Sequence, residues 1–162
     1  MRLVILILII TGGFYQANAL MTLKSFDRKA YYNVLKSGTA DAIDAQIVLV
    51  QSSGMNSKDA FEGTLLMKKA DLMSKPKDKL DLFKKGRIKL ETAISKDEMN
   101  TEYRFMRLII QEHAPKQAKY KNELASDADF ITKNFKSLSQ ELQDIIIDYS
   151  KQSKTLKTAS LQ

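Results

Sequence analysis

His113 is the only histidine in the 162-residue chain, and there is no cysteine. A general base working near neutral pH is most often an imidazole, so His113 is the first residue to weigh for chemistry. It stands two residues before Pro115. The residue before a proline disfavours helix, which puts His113 at a helix end, where a protonated ring would bond the last carbonyls. That capping role is the expectation. With one imidazole and no thiolate, a metal would depend on carboxylate oxygens. Asp41 and Asp44 lie three apart, and Asp127 and Asp129 share a helix start. Neither pair has the spacing of a calcium loop, and both fit first-turn anions facing the positive end of a helix dipole. The phosphate-cradling glycine loop, Gly-x-Ser-x-Gly and His-Glu-x-x-His patterns are missing. The sequence therefore assigns no catalytic, cofactor-binding or metal residue and reads as a non-enzyme. A small carboxylate-dependent hydrolase is the enzymatic alternative, since distant acids can meet in space.

The formal net charge is +7. Nine cations crowd residues 68–89: Lys68, Lys69, Lys75, Lys77, Lys79, Lys84, Lys85, Arg87 and Lys89, against Asp71, Asp78 and Asp81. Such a stretch could hold an anionic envelope lipid or polymer, or be a solvated helical surface. Aromatics are not interleaved with it as a single-strand platform requires, so no nucleic acid is expected. Tyr31, Tyr32, Tyr103 and Tyr120 fit either groove anchors or half-buried core residues. The scattered methionines Met55, Met67, Met73, Met99 and Met106 read as core filling.

The elements that must position these groups are helices. Apolar residues recur at three and four, and proline appears only at Pro76 and Pro115. Leu20, Leu23, Phe26, Ala30, Tyr31, Val34 and Leu35 form a first stripe, with Gly38 placed for a left-handed end. Thr39 caps a second helix carrying Ile43, Ile47 and Val50. Ser57 caps a third, with Phe61, Leu65, Leu66 and Leu72, and Gly63 within it could admit a close neighbour. Pro76 suits the first position of a fourth, with Leu80, Phe83, Leu90 and Ile94. Asn100 caps a fifth, running from Tyr103 to His113. Pro115 starts a short sixth with Tyr120 and Leu124. Ser126 opens a seventh with Phe130, Ile131, Phe135 and Leu138, and Ser139 an eighth with Leu142, Ile145, Ile146 and Tyr149. Connections of two to six residues make consecutive helices antiparallel neighbours. The expected fold is all-α, seven or eight helices in antiparallel pairs, as a short solenoid or a compact bundle.

Ahead of these helices, Arg2 precedes eight aliphatic residues at 3–10, and Ala17-Asn18-Ala19 offers small residues for cleavage. This is the layout of a secretory signal peptide, too short to span a bilayer. The expectation is removal after Ala19, with no transmembrane segment left. That leaves a single helical domain at 20–150, a frayed polar tail at 151–162 and a net +6. Export of a cysteine-free chain fits a bacterial periplasm or secretion.

Gly86, Leu90 and Ala93, followed by Asp97 and Asn100, resemble the second helix of a tetratricopeptide repeat, in one degenerate copy over about residues 60–100. Glu98 stands where that family usually has proline. The stretch 60–115, with Arg104-Phe105-Met106-Arg107-Leu108 and His113-Ala114-Pro115, also resembles a group of short exported bacterial helical proteins. The repeat resemblance implies stacked helical hairpins and a protein- or peptide-binding module.

Overall fold

The structure, a computed structural model, describes residues 26–161. The leader expected at 1–19, with Leu20 and Leu23 of the first stripe, lies outside the described residues. Within them the chain forms seven α-helices and no strand: α1 Arg28–Ser37, α2 Ala40–Ser52, α3 Lys58–Asp71, α4 Pro76–Lys96, α5 Thr101–His113, α6 Leu124–Asn134 and α7 Gln140–Ser150. Single 3₁₀ turns occur at Lys116–Ala118, Phe135–Ser137 and Thr158–Leu161. The chain is all-α.

Consecutive helices run antiparallel. In the α3–α4 hairpin, Lys89 pairs with Asp59 and Glu62, and Lys79 with Asp71. In α5–α6, Arg107 meets Asp127 and Gln111 meets Glu123. The odd-numbered helices therefore share one direction. Arg28 reaches Glu102 near the starts of α1 and α5. Lys68 reaches the Lys36 carbonyl, and Lys36 reaches Asp148, near the ends of α3, α1 and α7. α1 touches both α3 and α7. In an open solenoid each repeat contacts only its neighbours. Contact between α1 and α7 closes the described residues into a bundle.

α5 is the hub, since all but Arg104, Glu112 and His113 of its thirteen residues are buried. Its Phe105 extends a train of aromatic contacts from Phe26 through Phe61, Tyr31 and Tyr32 to Tyr149. Tyr31 is wholly buried and donates its hydroxyl proton to the Phe61 carbonyl at 3.1 Å. A buried phenol without a partner would carry a desolvation cost. Met67 and Met106 fill core positions, whereas Met99 is exposed.

α3 and α4 cross at their glycines. A Cβ on Gly63 would lie 2.6 Å from the Gly86 carbonyl oxygen, and one on Gly86 would lie 2.4 Å from that of Gly63. Backbone on backbone leaves no flexible atom to yield, so both positions need glycine.

Several local expectations hold. Thr39, Asn100 and Ser139 each accept a backbone N–H at a helix start, and Pro76 opens α4. Others need correction. Gly38 is extended (φ −68°), not left-handed, and its constraint is steric, because a Cβ there would meet the Val34 carbonyl oxygen at 2.5 Å. Ser57 occupies the N-cap position of α3 without a capping bond. The expected sixth helix is one 3₁₀ turn, ended by Lys119 at φ 46°. That left-handed residue breaks the helical path and the chain carries Tyr120 inward, leaving it 1% exposed. α6 starts at Leu124, so Ser126 lies inside its first turn.

The expected fraying of 151–162 is also corrected. Leu156 and Leu161 are 1% and 4% exposed. The carboxylate of Glu112 holds the segment, accepting from the Ser153 hydroxyl at 2.7 Å and from the Lys154 and Thr155 amides at 3.0 and 2.8 Å. Charge-assisted bonds of this kind are about twice as strong as neutral ones. They secure two leucines that the local polar composition conceals.

Candidate binding cleft

The inner helices do not close on one another everywhere. α1, α3, α5 and α7 line a cleft of about 330 Å³, at the small end of the roughly 300–1,000 Å³ range of ligand pockets. Leu35, Phe105, Ile109, Ile110 and Ile145 make it apolar, with the rings of Tyr32 and Tyr149 beside them. Spacings of three and four put successive side chains of each helix on this side, as with Phe105 and Ile109, or Ile145 and Tyr149.

The rim is charged and of both signs. α1 contributes Lys29 and Lys36, α3 Lys68 and Asp71, and α7 Asp144 and Asp148. Lys36 and Asp148 pair at 3.4 Å, with both side chains at least half exposed. Such a pair is screened by water and contributes little to stability. Hydrogen bonds from Lys151 and Lys36 hold the Asp148 carboxyl below the usual aspartate range. Lys68 donates to the Lys36 carbonyl at 3.4 Å, placing a cation at the negative end of α1.

His113 lies on the same rim. Its Nδ1 donates to the Ile109 carbonyl oxygen at 2.9 Å, within its own last helical turn. The geometry is that of the capping role read from sequence.

The buried charges lie elsewhere. Asp127 is wholly buried, and both its oxygens take the Arg107 guanidinium at 2.7 and 2.8 Å, with Arg104 at 3.2 Å. The expectation of an ordinary first-turn anion misses this. A signal was available in Arg104 and Arg107, which interrupt the apolar run of α5. Arg107 also holds Glu91, whose other oxygen accepts from Tyr120, and the Arg87 guanidinium lies over the Tyr120 ring. Burial opposes the charge on Arg107, but the Asp127 and Glu91 carboxylates outweigh it and raise its pKa.

Glu102 bonds Arg28 at 3.0 Å and Tyr32 at 3.4 Å. Burial nonetheless pushes its carboxyl above the usual range. Burial also works to raise Glu112, but bonds from Tyr149, Ser153 and Thr155 prevail and hold it low. Neither acid lines the cleft. Among the described residues no group of three or more His, Asp or Glu could hold a metal ion. Asp41 is exposed, Asp44 pairs with Lys69 at 2.6 Å, and Asp129 is exposed.

The basic stretch 68–89 is divided between two helices and largely engaged. Lys69, Lys79 and Lys89 are in ion pairs, Lys68 is on a carbonyl and Arg87 is on an aromatic ring. Lys75, Lys77, Lys84 and Lys85 stay exposed.

The cleft itself was not legible in the sequence. Its walls come from residues 29–36, 68–71, 105–113 and 144–152, and only the closure of α7 onto α1 assembles them. No protein-family model matches the chain, nor does any curated protein or solved structure.

Proposed function

We propose that the chain is an exported, non-catalytic interaction module of a bacterial cell envelope, with the α1/α3/α5/α7 cleft as its binding site for an apolar segment of a protein or peptide. The observation carrying this reading is the pairing of an apolar floor (Leu35, Phe105, Ile109, Ile145) with a rim of both charge signs. Burying apolar surface supplies affinity, and a mixed rim orients the occupant without selecting for net charge. The leader pattern around residues 3–19 and the repeat-like Gly86-Leu90-Ala93 spacing support export and a helical interaction module.

A photo-crosslinking amino acid placed at Asn33 or Gln152, on the rim, tests the site in a native envelope fraction. Asp41 on the outside of α2 serves as the control position. A discrete adduct is expected from the rim positions only, and it is lost when Ile145→Lys charges the floor. Equal adducts from Asp41, or survival of the adduct in Ile145→Lys, would overturn the proposal. Because the affinity is apolar in origin, capture changes little between 50 and 300 mM salt.

A further inference from the structure

Six large apolar side chains are exposed among the described residues, and three of them, Leu72, Leu80 and Ile88, fall inside the basic stretch 68–89. Leu80 and Ile88 are 50% and 67% exposed, with Lys84 midway between them. Four-residue spacing puts all three on one line along α4, about 12 Å long at 1.5 Å per residue. Lys77 extends that line toward the helix start. The opposite side of α4, with Phe83, Gly86, Leu90 and Ile94, is buried. Leu72 stands at the adjoining turn, just past the Asp71–Lys79 pair.

Cations surround this line. Lys75, Lys77, Lys84 and Lys85 are exposed and join none of the ion pairs found among the described residues. Arg87, over Tyr120, brings the loop with exposed Lys119 and Lys121 to the same flank. The facing acids are Asp78, Asp81 and Glu91, the last of which is occupied by Arg107 and Tyr120.

A solvated face needs the lysines but not Leu80 and Ile88. A soluble polyanion would engage the lysines and leave those two side chains in water. A stable protein interface takes about 800 Å² from each partner, far more than two aliphatic side chains offer. An anionic bilayer satisfies both groups at once. Lysine ammoniums reach headgroup phosphates, and Leu and Ile enter the headgroup–acyl boundary.

We propose that the outer face of α4 docks on an anionic lipid surface, through Lys77, Lys84 and Lys85 on headgroups and Leu80 and Ile88 in the interface. α4 lines no part of the cleft, so the docked protein keeps that site open to a second partner.

Sedimentation of residues 20–162 with vesicles tests this. Vesicles of 30% phosphatidylglycerol in phosphatidylcholine are compared with pure phosphatidylcholine. The protein is expected to bind the first and not the second, more weakly as salt rises. Each lysine near an anionic surface is worth about fivefold in partitioning, so Lys77→Gln with Lys84→Gln lowers it about 25-fold. Leu80→Ser with Ile88→Ser abolishes vesicle binding at physiological salt and leaves retention on soluble polyphosphate unchanged. All four positions are exposed, and thermal melting by circular dichroism confirms that the variants fold. Equal binding to neutral vesicles, no binding to anionic ones, or full binding by the Leu80/Ile88 double variant overturns the proposal. Ile145→Lys, which disables the cleft, leaves vesicle binding intact, so this inference and the cleft reading fail separately.

Discussion

Truncating Asp127 to alanine would remove two of the three carboxylate bonds of the Arg107 guanidinium, whose side chain is only 7% exposed, and leave it the partly exposed Glu91 alone. A buried charge that loses its partner costs about 3–5 kcal/mol, while replacing both partners by apolar groups is often nearly neutral. Urea unfolding of Asp127→Ala should show a loss of that order, and Asp127→Leu with Arg107→Met should recover most of it. Glu112 makes a second prediction, with a pH signature. Its folded pKa lies below the ordinary glutamate value. Its contribution is therefore complete above the unfolded pKa of ~4.3 and is lost as pH falls through the lower folded value. Glu102 behaves oppositely. Its raised folded pKa imposes a cost that is complete above that value and vanishes below the ordinary range. Glu112→Gln should cost roughly 2 kcal/mol at pH 7 and flatten the acid limb of stability measured from pH 7 to 3. It should also speed amide exchange at Thr155 and Leu156. An unchanged exchange rate at those amides would remove Glu112 from its clasping role. The sequence places these acids but not their partners, because each bond joins residues 20 or more apart.

The contact of α3 with α4 depends on two missing methyl groups. Gly63→Ala and Gly86→Ala should each destabilise, since overpacking of about 1–3 kcal/mol outweighs the ~1 kcal/mol gain in helix propensity. Gly54→Ala is the control. A Cβ there meets nothing within 4 Å, so thermal unfolding should shift little or upward. The terminal segment gives a further element-scale prediction. Leu156→Ala should cost about 2–5 kcal/mol, a size incompatible with a frayed tail. Local rules explain what was readable here. Caps at Thr39, Asn100 and Ser139, the proline at Pro76 and the small residues Gly63 and Gly86 act through atoms one turn away or through one adjacent helix. The segment from Pro115 to Tyr120 was misread because its path is set by where Tyr120 goes. Glu91 and Arg87, some thirty residues earlier, decide that. Leu156 and Leu161 were hidden for the same reason, since their partners belong to the assembled core.

At the scale of the whole molecule, two faces with different physics are separated by the bundle. The cleft is apolar and its occupancy should tolerate salt, whereas the α4 face combines lysines with two aliphatic side chains and should not. One protein preparation, titrated with salt against both proposed kinds of partner, distinguishes them. Helix direction matters as much as composition here. Consecutive helices alternate, so α1, α3, α5 and α7 point the same way along the cleft they line. Because α7 is the fourth wall, a nascent polypeptide halted before Gln140 has three walls and no closed cleft, however much helix it has already made. Formation of the cleft therefore waits on a helix more than a hundred residues beyond the α1 wall it meets.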